Sequence, residues 1–223
     1  MIVAIDGPGS SGKSSVGAAA AERLGYRFFD TGLLYRAITW LAEARGVSVD
    51  DPDGLVLLVA DVSIEPDERG RLSRVVVGGV EHTADVRGPA IDAAVSAVSA
   101  VPAVRAALLE RQREIAAGGA IVMAGRDIGT VVLPDADLKI YLDASVEERG
   151  RRRAEERGLD PDGPDAEAIL EALRRRDHLD AHRAVAPLRV APDARIVSTD
   201  GNSFEATVDA VVATIADAEA RRR

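Results

Sequence analysis

The 223-residue chain has no cysteine. That excludes a disulfide framework and any thiolate-ligated metal. It has three histidines, His82, His178 and His182. They are scattered, without the spacing of a triad or a metal site, and no chemistry is assigned to them. Lysine is almost missing: Lys13 and Lys139 stand alone, and every other basic residue is arginine. Aromatic residues are 3% of the chain. No apolar run approaches the ~20 residues that cross a bilayer. The formal net charge is −9, which argues against broad nucleic-acid binding. The N-terminal residues already read as a core strand, so no signal peptide is expected and the expected compartment is the cytoplasm.

Against this background one stretch is dense in glycine and serine. "DGPGSSGKSS", Asp6 to Ser15, follows the apolar "MIVAI". The spacing Gly7-x-x-x-x-Gly12-Lys13-Ser14 is that of a P-loop. Such a loop turns successive backbone N–H groups inward onto phosphate oxygens, and Gly7, Pro8, Gly9, Ser10, Ser11, Gly12, Lys13, Ser14 and Ser15 form the expected ATP site. Lys13 is placed to reach the β- and γ-phosphates, and the Ser14 hydroxyl to hold Mg²⁺. "IVAI" reads as a buried strand before the loop and "SSVGAAAAERL" as a helix after it, ended by Gly25.

The pattern then alternates strand and helix, which predicts an α/β fold with a mostly parallel sheet. Core strands are expected at Ile2–Ile5, Arg27–Phe29, Ala120–Met123, Leu138–Leu142 and Arg195–Ser198. Helices are expected at Leu33–Ala44, Asp53–Ala60, Pro89–Ala100, Pro102–Ala117, Val146–Arg157, Ala166–His182 and Ser203–Glu219. Gly46 and Gly118 stand where C-terminal caps belong, Pro89 and Pro102 fit first turns, and Ser145 with Glu148 reads as a capping box. Val62 to Arg87 breaks the alternation with three β-like runs, turned at Asp67–Gly70 and Gly78–Gly79, and reads as a small antiparallel insert. The polar stretch from Arg157 to Glu167 reads as a lid loop. The expected organisation is one domain over 1–223, with core segments 1–60, 88–147 and 166–223, an insert at 61–87 and a lid at 148–165.

A second set of cations follows from placement. Arg36 opens a helix just after one core strand, and Arg126 and Asp127 lie just beyond another. Ligands in open α/β sheets gather at the carboxyl ends of strands. Each arginine alone reads equally well as a surface ion pair; together they suit a second phosphate, as a nucleotide kinase requires. Arg176, Asp180 and Arg183 fall at i, i+4 and i+7 on one helix face, an arrangement that also suits an exposed ion-pair ladder. Arg149, Arg153 and Arg157 share another face, either as phosphate ligands or as a solvated helix answered by Glu148, Glu155 and Glu156.

The chain resembles the bacterial cytidylate kinases, P-loop nucleoside monophosphate kinases. The resemblance is carried by "AIDGPGSSGKSS", "FFDTGLLYR", "AVSAVSAVPAVRAALLERQR", "GRDIGTVVLPDADLKIYLDASVEER" and "RRDHLDAHRAVAPL", and covers nearly the whole chain. It implies a five-stranded parallel sheet in the order 2-3-1-4-5, flanked by helices, with a monophosphate-binding β insert and a helical lid. It implies transfer from ATP to CMP, and to dCMP, by a monomer with Mg²⁺ and no nucleic-acid or membrane partner. By resemblance, Arg36 and Arg126 hold the acceptor phosphate. Ser96, Arg105, Asp127 and Arg183 surround the base, and Arg176 and Asp180 hold the ribose. Thr31 lines the same site. Lys13, Arg36, Arg126, Arg149 and Arg153 form the catalytic set, with Arg157 on ATP. A carboxylate and a hydroxyl accepting from the cytosine amino group, with an arginine donating to the ring, suit cytosine over uracil.

Two positions depart from the family pattern. Leu33 stands where a small residue is usual, which bears on packing beside the acceptor. Ala124 stands before "GRD" where an acid is usual, and Asp6, Asp127 and Asp143 are the acids expected to take over the magnesium waters. Other readings are a kinase for UMP or another small acceptor, and a nucleotide switch or RNA-associated P-loop protein. The last lacks a guanine-reading "NKxD". Lys13→Ala is predicted to abolish phosphoryl transfer with the fold intact, because it removes a charge contact made in the transition state. Steady-state turnover, with circular dichroism as the folding control, checks this; unchanged turnover would remove the loop as the ATP site.

Overall fold

The computed structural model describes residues 1–222. β1 (Ile2–Asp6) is flanked by β6 (Ile121–Gly125) on one side and β7 (Leu138–Asp143) on the other, all parallel. β2 (Arg27–Asp30) lies outside β6 and β8 (Arg195–Ser198) outside β7, again parallel. In chain order of these five strands the run is 2-3-1-4-5. Their side chains divide with period two. Ala4, Phe29, Ile121 and Met123 enter one apolar core; Val3, Ile5, Phe28, Val122 and Ala124 enter the other. Burial on both faces is why β1 and β6 read as continuous apolar runs, whereas β8, at the edge, leaves Ile196 exposed.

α1 (Lys13–Leu24) and α8 (Phe204–Ala220) cover the second face. The first is covered by α2 (Gly32–Arg45), α3 (Pro52–Val59), α4 (Pro89–Ala100) and α5 (Pro102–Ala117). Leu33 turns into this core and is buried. No single helix among the described residues is long and apolar enough to cross a membrane.

The insert differs from expectation. β3 (Val62–Pro66), β4 (Leu72–Val77) and β5 (Val80–Glu81) are antiparallel to one another, but β4 also pairs in parallel with β2 through Phe29 and Leu72. The five expected strands are thus part of one eight-stranded mixed sheet. β4 takes the open edge of β2, whose backbone groups would otherwise be unpaired.

Gly118 and Ser145 stand at helix ends as expected, with differences in detail. Gly118 is right-handed helical, and the positive-φ residue is Gly119 at 65°. The Arg27 guanidinium donates to the Ile115 and Gly119 carbonyls and satisfies the end of α5. The Ser145 hydroxyl accepts from Glu148 N–H at 3.2 Å, starting α6 (Val146–Glu156). The return bond is absent, because Ser145 N–H goes to Asp200 and Glu148 is engaged by Arg151 and Arg152. α6 packs on α7 (Ala166–His182) so closely that a side chain at Gly150 would meet Leu170 at 2.5 Å. Ala154, Ile169 and Leu173 give this helix pair a small core of its own.

Candidate active site

The carboxyl ends of β1, β2 and β6 meet around residues 6–13. Gly7 has φ 153°, and a Cβ there would lie 2.2 Å from the Leu142 carbonyl, so the loop passes β7 at a distance only glycine allows. Ser10 and Gly12 are also left-handed, at φ 57° and 90°. This winding ends at the N-terminus of α1, where unpaired N–H groups and the helix dipole favour an anion. Lys13 folds back to donate to the Pro8 carbonyl at 2.7 Å. Burial, with Arg126 and Arg176 close by, pushes its ammonium well below the usual lysine range, against the pull of Asp30 and Asp6.

Asp6, the last residue of β1, is buried and accepts from the Ile128 and Gly129 N–H groups at 2.8 and 2.7 Å. Burial pushes its carboxyl up to about 6, with Asp127 adding to the rise, against those two bonds and Lys13. The contact pins a five-residue π-helical turn, Ile128–Val132, directly after Asp127. Gly125 permits this turn, since a Cβ there would strike Ile128 and Thr31.

One cleft results, lined by Asp30, Thr31, Tyr35, Arg36, Arg126, Asp127, Arg176, Asp180 and Arg183 among others. At its inner end Arg126 and Arg176 approach the P-loop; a Cβ on Gly9 would lie 3.6 Å from the former and 3.8 Å from the latter. Arg126 Nε donates to Asp180 at 2.9 Å, while Arg176 Nε is buried without a hydrogen-bond partner. Burial, then Arg126, pushes the Arg176 guanidinium down to about 10 in spite of Asp180. Burial would raise the Asp180 carboxyl, but Arg126, Arg176 and Arg183 together hold it below the usual range.

At the other end Asp127 is gripped by two arginines. Arg105 donates to one oxygen, and Arg183 to the other at 3.0 Å. All three side chains are at most 7% exposed. The Arg105 guanidinium also lies over the Tyr35 ring, 5.5 Å from its centre. Arg183 caps the end of α7 and donates to the Ala186 carbonyl.

Most of the residues singled out in the sequence therefore converge. Four do not stand as expected. Ser96 is buried in α4, and it is Val95 and Ser99 that line the cleft. Arg149 is a buried strut, donating to the Gly9 and Ala144 carbonyls and pairing with Asp177 at 2.6 Å. Arg153 and Arg157 turn to Asp92 on α4; Glu148 and Glu155 answer Arg151, and Arg153 also reaches Glu156. The Thr31 hydroxyl is taken by the Ala124 carbonyl at 3.0 Å.

Ala124 is fully buried and in register with Asp30 on the neighbouring strand. Asp30 accepts the Ser14 hydroxyl and, at 2.9 Å, the Gly32 N–H. Of the three acids expected near Ser14, Asp6 is committed to the turn, Asp127 to its arginines, and Asp143 ends β7. The carboxylate that touches Ser14 is Asp30, which the sequence reading passed over. Its signal was present, an acid ending a core strand at the head of "DTG".

The family model for cytidylate kinase matches residues 3–217. The chain belongs to the cytidylate kinase family. The cytidylate kinase of Geobacillus kaustophilus (strain HTA426) is 48% identical over 212 residues, 94% of each chain. That of Mycobacterium avium (strain 104) is 46% identical over 210 residues, covering 94% of this chain and 92% of its own. Shikimate kinase from Bacteroides thetaiotaomicron superposes with a TM-score of 0.50 at 13% identity, over 96% of this chain and 98% of its own. That likeness concerns the fold alone.

Among the described residues no three His, Cys, Asp or Glu side chains converge to hold a metal ion. The hydroxyl of Ser14 beside the Asp30 carboxylate is a hard-oxygen pair, which fits an ion such as Mg²⁺ that keeps most of its waters. Asp30→Asn keeps the size and removes the charge. It is predicted to lower turnover by ~10–100-fold, as loss of an outer carboxylate does, and to raise the magnesium needed for half-maximal rate. A magnesium titration at saturating nucleotides checks this; an unchanged half-point would show that Asp30 does not serve the ion.

Proposed function

We propose that the protein phosphorylates CMP, and dCMP, with ATP as donor and Mg²⁺ bound beside Ser14. The observation that carries this is one cleft with two chemically different ends. A cationic end abuts the P-loop, and an arginine-held buried carboxylate, Asp127, sits at the other. Family membership supports the same acceptor.

The ATP phosphates lie on the P-loop N–H groups and Lys13. The CMP phosphate lies between Arg36 and Arg126, with Arg176 and Asp180 at the ribose. Arg105 and Arg183 fix Asp127, which accepts from the cytosine amino group. A nucleobase offering a carbonyl at that position would face a carboxylate across a buried contact, at a cost of several kcal/mol. The acceptor phosphate is already a nucleophile, so the protein's task is alignment and charge neutralisation. The ion, when bound, screens the charge of the donor phosphates. Lys13, Arg126 and Arg36 supply fixed positive charge along the line of transfer. Arg153 and Arg157, on the α6 side, are the cations that can close onto it. Arg149 serves differently from the other lid arginines, as the support that holds Gly9 in place.

Asp127→Ala tests this reading. It is predicted to weaken CMP binding and to narrow the CMP-over-UMP preference in kcat/KM by about 100-fold or more, as loss of a buried hydrogen-bonding partner does. Parallel assays with CMP and UMP provide the measurement. A variant that keeps the parent's ratio would show that Asp127 does not read the base.

A further inference from the structure

Asp92 lies in the first turn of α4 with its side chain 14% exposed. One carboxylate oxygen accepts from Arg36 at 2.5 Å. The other accepts from Arg153 and, at 3.4 Å, from Arg157. These cations come from two sides. Arg36 belongs to α2 at the acceptor end, while Arg153 and Arg157 come from α6 and its C-terminus. Burial would raise the Asp92 carboxyl, yet Arg36, Arg153 and Arg176 together hold it below the usual range.

A single carboxylate here gathers three arginines that the reaction needs on phosphate oxygens. A phosphate monoester brings up to two negative charges and three acceptor oxygens to such a cluster, where Asp92 brings one charge and two. Arg36 and Arg153 each give Asp92 an N–H that a nucleotide phosphate would compete for. We propose that Asp92 is a positioning residue that stands in for the substrate phosphates. It keeps Arg36, Arg153 and Arg157 converged over the cleft and yields them to phosphate as the substrates bind. This rests on the reading of Arg36 as a ligand of the acceptor phosphate. The bonds given up oppose binding, since apparent affinity falls with the fraction of protein whose arginines are free. What is gained is order: the cations are converged before the substrate arrives.

The test compares CMP with cytidine, which has the base and ribose but no phosphate, in wild type and in Asp92→Asn. Equilibrium binding is read by calorimetry and steady-state rates with CMP. In the variant CMP is expected to bind about five- to tenfold more tightly, because the competing carboxylate charge is gone, and cytidine as before. KM for CMP should fall while kcat does not rise. If wild type binds CMP no better than cytidine, the acceptor-phosphate reading itself fails. If wild type favours CMP and the variant leaves the CMP-to-cytidine ratio unchanged, or weakens CMP, the proposal alone is overturned and Asp92 merely ties α6 to α4. Should the variant not fold, the Asp92 carboxylate carbon in the wild-type NMR spectrum decides. Its signal must shift with CMP and stay in place with cytidine; a signal indifferent to CMP overturns the proposal.

Discussion

Crowding of like charge is the constraint on which the rest of the site depends. Lys13, Arg36, Arg126 and Arg176 gather at one end of the sheet, and the pressure is visible in the lowered lysine and arginine pKa values, to which burial contributes most and neighbouring cations next. Every arrangement that keeps them together needs carboxylates at fixed places. Asp180 takes Arg126, Asp92 takes Arg36, and Asp30 lies near Lys13 and touches Ser14. Buried ion pairs of this kind are poor sources of stability, because the desolvation cost roughly cancels the attraction. Under the proposed function, their place in this chain follows from the phosphates that these cations would meet.

The sheet makes the arrangement possible. Parallel strands point their carboxyl ends the same way, so β1, β2 and β6 deliver the P-loop, Asp30 and the Arg126–Asp127 pair to one rim. Small residues set the distances. Gly7 lets the loop pass the Leu142 carbonyl, Gly125 lets the π-helical turn fold beneath it, and Asp6 closes that turn with two buried bonds. Positioning thus runs from backbone geometry to Asp127 and from there to Arg105 and Arg183, before any substrate contact is made.

Much of this was legible in the sequence because it is local. The P-loop is a spacing, the five parallel strands are apolar runs bounded by turn residues, and the helices carry their own prolines and glycines. Arg36, Arg126 and Asp127 stand just past strand ends, where ligands of open α/β sheets gather. What was not legible depends on partners far apart in the chain. Asp92 meets Arg153 across 61 positions, and Arg149 meets Asp177 across 28. Neither pairing leaves a period or a motif. Ser96 is expected from the resemblance alone, and the residues of α4 that line the cleft, Val95 and Ser99, depend on how the helix is rotated. The join of β4 to β2 rests on a single register pair, so the insert read as separate from the sheet.

Under the proposed function one cleft reads a cytosine nucleotide at one end and receives a phosphoryl group at the other. The most direct test is ATP-dependent ADP release measured with each of the eight ribo- and deoxyribonucleoside monophosphates, with the diphosphate product identified. CMP and dCMP are expected to give the highest kcat/KM, with UMP well below them and the purine nucleotides near background. A rate independent of the added acceptor, or one highest with a purine nucleotide, would contradict it.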